Sequence, residues 1–292
     1  MADARVAARP FIKSIGGKTQ LLSELCKHIP PTFGTYYEPF VGGGALFFEL
    51  VRLGLLKHGA VLSDANAELI NAYVEVRDRV GGVVADLRLH ARKHSEAHYY
   101  YVRADLNEVL MGGEYACPEA RAVAFIYINK AGFNGLWRVN RRGECNVPWG
   151  KHGKYEPDEE NLRACSAALQ GVDLVCYDFR LVHPCLGDFV YADSPYFPVS
   201  KTANFTGYTK GGFGMDEQRA LACRLDDLAD AGVHVLASNA DTPECRETYE
   251  SCRDADGKPT FELHEVQARR SVNSVGTKRG KVGELIIVGR GE

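Results

Sequence analysis

The sequence lacks the features that would place it in a membrane, in a disulfide framework or at a zinc site. Its longest uninterrupted apolar run, Ala122 to Ile128, is far shorter than the roughly 20 residues that cross a bilayer. The N-terminus has no apolar stretch of the kind that signal peptides carry, so we do not expect secretion. Nine cysteines are an odd number for disulfides, and none forms a C-x-x-C pair. We therefore expect reduced thiols, no metal and a cytoplasmic location.

An excess of positive charge is also absent, since the net charge is −3. Two loop-like segments nevertheless concentrate basic residues. Residues 137–154 contain Arg138, Arg141, Arg142, Lys151 and Lys154 with a single acid, and residues 269–281 contain Arg269, Arg270, Lys278, Arg279 and Lys281 with none. Such segments suit contact with nucleic-acid phosphates, which need donors rather than a high overall pI. The alternative is a pair of solvated faces.

What the sequence does contain is an alternation of short apolar strands with helical stretches. The predicted strands are Tyr36–Phe40, Ala60–Ser63, Leu174–Tyr177, Phe189–Tyr191, Val233–Ser238, Phe261–Gln267 and Leu285–Val288. Helical patterns lie between several of them, such as Asp216–Asp230 with Asp216 as its expected cap. This order predicts an α/β fold with a mostly parallel sheet, whose ligands bind beyond the carboxyl ends of the strands.

The alternation is interrupted once, between about residues 67 and 158. This stretch has helical patterns and a loop rich in glycine, asparagine and arginine, but no clear strand. It predicts a helical domain, residues 67–158, inserted into a sheet domain formed by residues 1–66 and 159–292.

A glycine-rich turn follows the first predicted strand. Gly42, Gly43 and Gly44 precede a helix that begins near Ala45, so backbone N–H groups can approach a ligand at the helix N-terminus. Asp64 closes the second strand, 22 residues after Gly42, which is the spacing of an acid that binds ribose hydroxyls. Two alternatives remain at this point: the glycines serve only the turn, and Asp64 only caps the next helix.

Two further stretches combine charge with a tight turn. Gly16, Gly17 and Lys18 resemble part of a phosphate loop, but the first glycine of that motif is missing and no good strand precedes it, so the pattern does not favour an NTPase. In the second stretch, YADSPYFPVS, Asp193 stands on a Ser-Pro-Tyr corner directly after the apolar residues 189–191. A plain helix cap would not explain why Tyr196 follows the corner.

These stretches together resemble the Dam-type family (D12 class, alpha group) of DNA adenine-N6 methyltransferases, over nearly the whole chain. The family's D-P-P-Y box is similar to residues 193–196, its F-x-G-x-G loop to 40–44 and its F-x-K-x-x-G-G-K box to 11–18. Residues 129–150, NKAGFNGLWRVNRRGECNVPWG, look like its target-recognition segment, and residues 200–209 look like the stretch after the box. The resemblance implies a Rossmann-like class I methyltransferase sheet with an inserted helical DNA-recognition domain.

The resemblance also implies the site and the methyl donor, S-adenosyl-L-methionine. Its catalytic residues would be Asp193, Ser194, Pro195 and Tyr196. Its cofactor-binding residues would be Ile15, Gly16, Gly17, Lys18, Phe40, Gly42, Gly44, Asp64, Asp178, Phe179 and Asp193, although Asp178 has a simple cap as its alternative. In this chemistry the carboxylate of Asp193 and the carbonyl of Ser194 accept the two N–H bonds of adenine N6, and Tyr196 stacks on a base that has been flipped out of the duplex.

For the partner, double-stranded DNA, the resemblance implies the palindrome GATC as the target. The implied DNA-binding residues are Lys13, Phe133, Asn134, Leu136, Arg138, Asn146, Pro148, Arg269, Arg270, Asn273 and Lys278. Arg138 suits a guanine edge, Phe133 would wedge into the base stack, and the residues from Arg269 onwards would hold phosphates. We expect a nucleoid-associated monomer with no membrane partner.

One departure from the family's pattern is Ser194, which replaces the first proline of the box and leaves a free N–H in the turn. The carbonyl is still present, so we expect activity to persist with a slower chemical step. Three alternative functions stay open at this point: methylation of cytosine N4 or of another adenine sequence by the same fold, a DNA-binding relic without turnover, and an RNA or protein-amide methyltransferase.

Overall fold

A computed structural model of the chain describes residues 7–14, 18–113, 117–197, 212–269 and 281–289. The strands are β1 (Tyr36–Glu38), β2 (Ala60–Ser63), β3 (Asp173–Val175), β4 (Phe189–Ala192), β5 (His234–Ala240), β6 (Phe261–Arg269) and β7 (Lys281–Gly289). The α-helices are α1 (Leu22–Leu25), α2 (Ala45–Leu53), α3 (Ala67–Lys93), α4 (Glu96–Leu110), α5 (Pro118–Ala131), α6 (Glu159–Ala168), α7 (Met215–Asp230) and α8 (Pro243–Glu250).

The described strands form one seven-stranded sheet in the order β3-β2-β1-β4-β5-β7-β6. Strands β1 to β5 are parallel, whereas β7 is antiparallel to both β5 and β6. The chain runs outward from β1 to β3 on one side and returns to place β4 on the other side of β1, so the order reverses at β1. Ligands of such sheets bind at this switch point, beyond the carboxyl ends of the strands. The predicted Rossmann-like α/β sheet is confirmed.

Both faces of the sheet are covered, which explains why its strands are apolar throughout. Successive strand residues point to opposite faces. Phe189 and Tyr191 of β4 join a buried cluster with α2, α3, α4, α5 and α6, whereas Val190 and Ala192 join a second cluster with α7 and α8. The result is a three-layer arrangement in which the sheet edge that carries Asp193 is held from both sides.

The helical stretch between β2 and β3 contains α3, α4, α5 and α6. In the described part of residues 67–158 the only β-pairing consists of two isolated bridges, Gly132 with Trp149 and Val139 with Cys145. Helix α3 packs against α5 and α6, and its Val83 belongs to the same buried cluster as Tyr191 of the sheet. Helices and sheet therefore share one continuous core on this side.

Some predicted boundaries differ from the structure. Strand β1 ends two residues before the predicted Phe40, because the chain turns there and the Val41 N–H donates to the Ser63 carbonyl at 3.0 Å. Strand β3 ends at Val175 rather than Tyr177. The predicted cap of α7 is wrong: Gly214 is the N-cap, its N–H donates to the Glu217 carboxylate at 2.8 Å, and Asp216 lies inside the first turn.

Candidate active site

The carboxyl ends of the central strands bring three acids to one edge of the sheet. Glu38 ends β1, Asp64 follows β2, and Asp193 follows β4. Strand β1 pairs with β2 on one side and with β4 on the other, so Glu38 lies between the strands of the other two acids. Sequence reasoning had predicted Asp64 and Asp193 at this edge, but not Glu38.

Asp193 is anchored through one of its two carboxylate oxygens. Its Oδ1 lies 2.8 Å from Lys18 Nζ and accepts a hydrogen bond from Ser238 Oγ at 2.9 Å. Ser238 is fixed in turn by the Tyr191 hydroxyl at 3.1 Å. Oδ2 accepts no hydrogen bond from the described residues, and the side chain is 22% exposed. Among the described residues, Asp193 therefore has partners at one oxygen and none at the other.

The Tyr196 ring contacts the same Lys18 ammonium that binds Asp193. Lys18 Nζ lies 4.5 Å from the centroid of the Tyr196 ring, so the ammonium covers one ring face in a cation–π contact. The Tyr196 hydroxyl donates to Glu284 Oε2 at 2.6 Å. Burial raises the pKa of Tyr196 well above its ordinary value and also raises the pKa of Glu284. The ring is therefore neutral and fixed at both its hydroxyl and one face.

The backbone of the corner is held by side-chain amides. Gln218 of α7 donates to the Pro195 carbonyl at 2.5 Å, and Asn239 of β5 donates to Gln218 at 3.2 Å while it accepts from the Phe197 N–H at 2.9 Å. Phe197 is buried against the second core cluster, 2% exposed. The Ser194 hydroxyl is buried and has no hydrogen-bond partner among the described residues. The corner is thus rigid at Pro195 and Phe197, with one unsatisfied hydroxyl at Ser194.

The glycine-rich turn places Asp64 at the N-terminal end of α2. Gly42 and Gly44 have left-handed φ values of 46° and 66°, which favour glycine. Asp64 accepts hydrogen bonds from the N–H groups of Gly42 at 3.3 Å and Asn66 at 2.9 Å, and burial raises the pKa of Asp64 to about 6. The cap of α3 is Asn66 instead, whose amide oxygen accepts from Glu68 N and Leu69 N. The alternative that Asp64 caps α3 is therefore wrong.

An aromatic cluster lies beside the glycine-rich turn. Ring centroids of Phe40 and Phe179 are 5.5 Å apart, and Phe213 lies 5.7 Å from Phe40 and 6.0 Å from Phe179. Asp178 caps the short helical turn that begins at Phe179, because it accepts from Arg180 N at 3.0 Å, and it also pairs with the Arg180 guanidinium. The simple cap that sequence reasoning kept as the alternative for Asp178 is thus present.

Comparison with known proteins assigns the chain to a family. The family model of D12 class N6 adenine-specific DNA methyltransferases matches residues 14–272. The chain belongs to this family. The type II methyltransferase M1.LlaDCHI of Lactococcus lactis subsp. cremoris is 33% identical, covering 98% of this chain and 97% of its own. M.MjaIII of Methanocaldococcus jannaschii is 36% identical over 96% and 98%, and the DNA adenine methylase of Escherichia coli K12 is 36% identical over 96% and 95%.

The protein is therefore an adenine-specific DNA methyltransferase, and its methyl donor is S-adenosylmethionine. The sheet edge fits this donor. The groups present there are compatible with it: the Asp64 carboxylate next to the Gly42 N–H, the glycine-rich turn before α2, and the aromatic ring of Phe40. Gly44 admits no side chain, since a Cβ there would lie 2.9 Å from the Tyr73 hydroxyl. The turn is therefore compact at this position.

The predicted base-reading residues of this methyltransferase lie on or near the recognition segment and differ in exposure. The buried amide of Asn129 accepts from Lys13 N at 2.8 Å and donates to the carbonyls of Lys13 and Gly135 at 2.9 and 3.1 Å. Lys13 is thereby held against the recognition segment, residues 129–150. Phe133 is 44% exposed, whereas Leu136, a predicted base reader, is only 9% exposed. Asn134, Arg138 and Pro148 are exposed, and Asn146 is half-buried.

Several residues of the site were not predicted from the sequence, namely Glu38, Gln218, Ser238, Asn239 and Glu284. Ser238 and Asn239 follow an apolar stretch at the carboxyl end of β5, which is the signal that identified Asp193, and it could have identified them too. Glu284 gave no such signal because β7 runs in the opposite direction, so Glu284 lies near the start of its strand, opposite Ala240.

Some predicted site residues lie outside the described part of the chain. These are Ile15, Gly16, Gly17, Arg270, Asn273, Lys278 and residues 200–209, and for Arg269 only the backbone is described. In the described residues no group of three metal-ligating side chains is present. None of the described helices is long and apolar enough to span a membrane.

Proposed function

We propose that this methyltransferase modifies N6 of an adenine that is extruded from duplex DNA, within the sequence GATC. The observation that carries the proposal is the asymmetric anchoring of Asp193. Lys18 and Ser238 both hold Oδ1, while Oδ2 faces no described partner and remains for the substrate. An acceptor fixed in this way is pre-oriented before the substrate arrives, which is the condition for electrostatic catalysis.

The proposed role of the corner follows from the chemistry of the adenine amino group. Its lone pair is delocalised into the ring, so the nitrogen becomes a nucleophile only when its two N–H bonds are held by acceptors that favour a tetrahedral geometry. Asp193 Oδ2 and the Ser194 carbonyl would be those acceptors. S-adenosylmethionine supplies an electrophilic methyl group on its sulfonium. The Asp193 carboxylate would also stabilise the positive charge that develops on the nitrogen.

Extrusion of the base is proposed because the corner is part of a packed sheet edge. An adenine inside the duplex cannot reach a carboxylate at the end of a buried strand. One face of the Tyr196 ring is covered by Lys18 and its hydroxyl is bound to Glu284, so we propose that the base stacks on the opposite face. Restricting the ring in advance lowers the entropy lost when a base stacks on it.

For sequence recognition we propose that residues 67–158 form the target-recognition domain and that the recognition segment reads the major groove. Arg138 is exposed, and its Nε and Nη2 donate to Asn146 Oδ1 and to the Asn146 carbonyl at 2.7 and 3.5 Å, so Asn146 fixes the guanidinium along one edge. A guanidinium presented in this way suits the O6 and N7 atoms of guanine. Leu136 is buried, so we propose that it supports the segment more than it contacts bases.

The central experiment measures transfer of labelled methyl from S-adenosylmethionine to two duplexes that differ only by scrambling one GATC. Asp193→Ala should abolish transfer, and donor binding is measured beside it because the same residue is also expected to contact the donor. Asp173→Ala, an exposed acid at the start of β3, is the matched control and should retain wild-type transfer. Transfer to both duplexes alike would refute the GATC target. Full activity of Asp193→Ala would refute the proposed acceptor.

The proposed base contact and the proposed extrusion have separate tests. Arg138→Ala should lower discrimination against a changed G·C pair by about 5- to 100-fold, whereas Arg142→Ala, another exposed arginine of the segment, should mainly weaken binding to all duplexes. A fluorescent adenine analogue at the target should brighten on binding if the base leaves the stack. We further propose that the enzyme acts on nucleoid DNA as a monomer, and sedimentation in the presence of a single-site duplex checks the stoichiometry.

A further inference from the structure

Helix α4 carries a row of polar side chains that contact the recognition segment. Tyr99, Arg103 and Asn107 are four residues apart, so they lie on one face of the helix. Tyr100 follows Tyr99 in the chain and joins this group, because the Arg103 guanidinium lies 4.8 Å from the centroid of the Tyr100 ring. None of these side chains contacts the sheet edge that carries Asp193, so methyl transfer itself gives them no role.

All four side chains bind the backbone of residues 145–149. Asn107 Oδ1 accepts from Cys145 N at 2.7 Å and Asn107 Nδ2 donates to Cys145 O at 3.0 Å. The Tyr99 hydroxyl and Arg103 Nη1 both donate to the Val147 carbonyl, at 2.9 and 2.7 Å. The Trp149 N–H donates to the Tyr100 hydroxyl at 3.4 Å. Every second residue of this extended stretch is therefore tied to α4.

Side chains along this stretch alternate between the buried side and the exposed side. Cys145 and Val147 are buried, 2% and 1% exposed, whereas Pro148 is exposed and Asn146 is half-buried. Asn146 Oδ1 accepts from Arg138 Nε at 2.7 Å. Because side chains of an extended chain alternate between two sides, a slip by one residue would bury Asn146 and expose Cys145. The register of residues 145–149 thus decides which side chains reach the exposed surface.

We propose that Asn107 is a positioning residue that sets this register and, through Asn146, the place of the Arg138 guanidinium on DNA. Its primary amide binds the N–H and the C=O of a single residue, which are the two bonds that a neighbouring antiparallel strand would make. A slipped register would break both bonds at once. The inference rests on the proposed function, since it assigns Arg138 to base recognition.

The test compares Asn107→Ala with a matched control, Asn71→Ala. Asn71 of α3 also donates a side-chain hydrogen bond to a backbone carbonyl of another element, that of Pro118 at 2.8 Å, but it does not contact the recognition segment. Two quantities are measured. One is amide hydrogen exchange of residues 139–149, and the other is the ratio of kcat/KM for a GATC duplex to kcat/KM for a duplex with one changed base pair.

Asn107→Ala should speed exchange in residues 139–149 and lower the kcat/KM ratio by about tenfold or more, whereas kcat at saturating GATC duplex and donor binding change much less. Asn71→Ala should alter neither quantity. Asn107→Asp keeps the acceptor for Cys145 N but loses the donor to Cys145 O, so it should lie between wild type and Asn107→Ala. If Asn107→Ala fails to fold, Asn107→Asp decides the question.

Two outcomes overturn the positioning role while the proposed function stands. One is unchanged exchange in the Asn107 variants, and the other is faster exchange with an unchanged kcat/KM ratio. A wild-type enzyme that methylates both duplexes equally refutes the proposed target instead, and with it any discriminating role for Asn107.

Discussion

Lys18 and Asp193 form an ion pair of 2.8 Å that links the N-terminal segment to the corner of residues 193–196. The Lys18 side chain is only 4% exposed, so its ammonium has little water around it and depends on protein partners. It binds Asp193 Oδ1 and covers one face of the Tyr196 ring at the same time. The resemblance implies that the turn of residues 15–18 lies against the methionine end of the donor, and the Lys18 ammonium also contacts the acid and the ring that are proposed to hold adenine.

We predict that Lys18→Met lowers the single-turnover methylation rate by about 100-fold, because an acceptor displaced by about 1 Å loses that much. Donor binding should change much less. Lys27→Met is the control, since Lys27 forms only an exposed ion pair with Glu24 nearby in the chain. Rapid-quench measurement of methyl transfer gives the rate. A Lys18→Met rate within threefold of wild type would show that the pair does not orient Asp193.

A second prediction concerns the two serines of the site, which have opposite environments. The Ser194 hydroxyl is buried without a described partner, whereas the Ser238 hydroxyl bonds Asp193. Ser194→Ala should raise the free energy of unfolding by about 1 kcal/mol, and Ser238→Ala should lower it by about as much. Urea denaturation of both variants gives the two changes. If both variants are destabilised alike, the Ser194 hydroxyl has a partner in solution.

The same residue tests the unusual corner in catalysis. Ser194→Pro restores the family's box, and the Ser194 carbonyl that is proposed to hold N6 remains. The single-turnover rate should therefore hold or rise. A fall in that rate would contradict the view that serine merely loosens the turn.

The sequence predicted those parts of the site that follow the rule for parallel strands. Asp64 and Asp193 both stand directly after a short apolar strand, and the carboxyl ends of parallel strands meet at one edge. Their neighbours Gly42 and Gly44 were identified because left-handed backbone favours glycine. The sequence therefore predicted which segments form strands and in what order they occur along the chain. Strands β1 and β3 nevertheless end earlier than their apolar patterns suggest.

The sequence could not show contacts between distant segments. Lys18 meets Asp193, and Gln218 meets Pro195, only because α7 and the N-terminal segment pack at the same edge of the sheet. No periodicity within either segment carries that information. The N-caps of α3 and α7 could not be predicted for a related reason. Local backbone geometry makes Asn66 and Gly214 the N-caps rather than Asp64 and Asp216, although all of these residue types are common at N-caps.

A third prediction uses the buried carboxyl of Glu38. Glu38 is 2% exposed, accepts from the Tyr36 hydroxyl at 2.8 Å, and burial raises its pKa to about 8. Between the ordinary pKa of glutamate and about 8, the folded state keeps a proton that the unfolded state has lost. The free energy of unfolding should therefore fall as pH rises through this window, by up to about 1.4 kcal/mol per pH unit from this group.

Glu38→Gln should remove this contribution, since glutamine does not titrate and can still accept from Tyr36. The measurement is urea denaturation of both proteins at intervals from pH 5 to pH 8. The stability of wild type minus that of Glu38→Gln should decline steadily across the series. Glu250→Gln at the exposed end of α8 controls for the loss of a carboxylate. A constant difference would show that Glu38 is ionised throughout.

The last prediction concerns the Val147 carbonyl, which is the acceptor of two hydrogen bonds from α4. Tyr99→Phe or Arg103→Met alone leaves it with one donor, whereas the double variant leaves a carbonyl of a residue that is 1% exposed with neither. An unsatisfied buried acceptor costs about 1–3 kcal/mol, so the loss of stability in the double variant should exceed the sum of the single losses by about 1 kcal/mol. Urea denaturation of the four proteins of this cycle measures the excess.

The contact of Arg103 with Tyr100 is lost in both Arg103 variants and cancels in the cycle. Tyr99→Phe combined with Asn71→Ala is the control cycle and should be additive, because those side chains share no partner. Additivity in both cycles would mean that water replaces the missing donors at Val147.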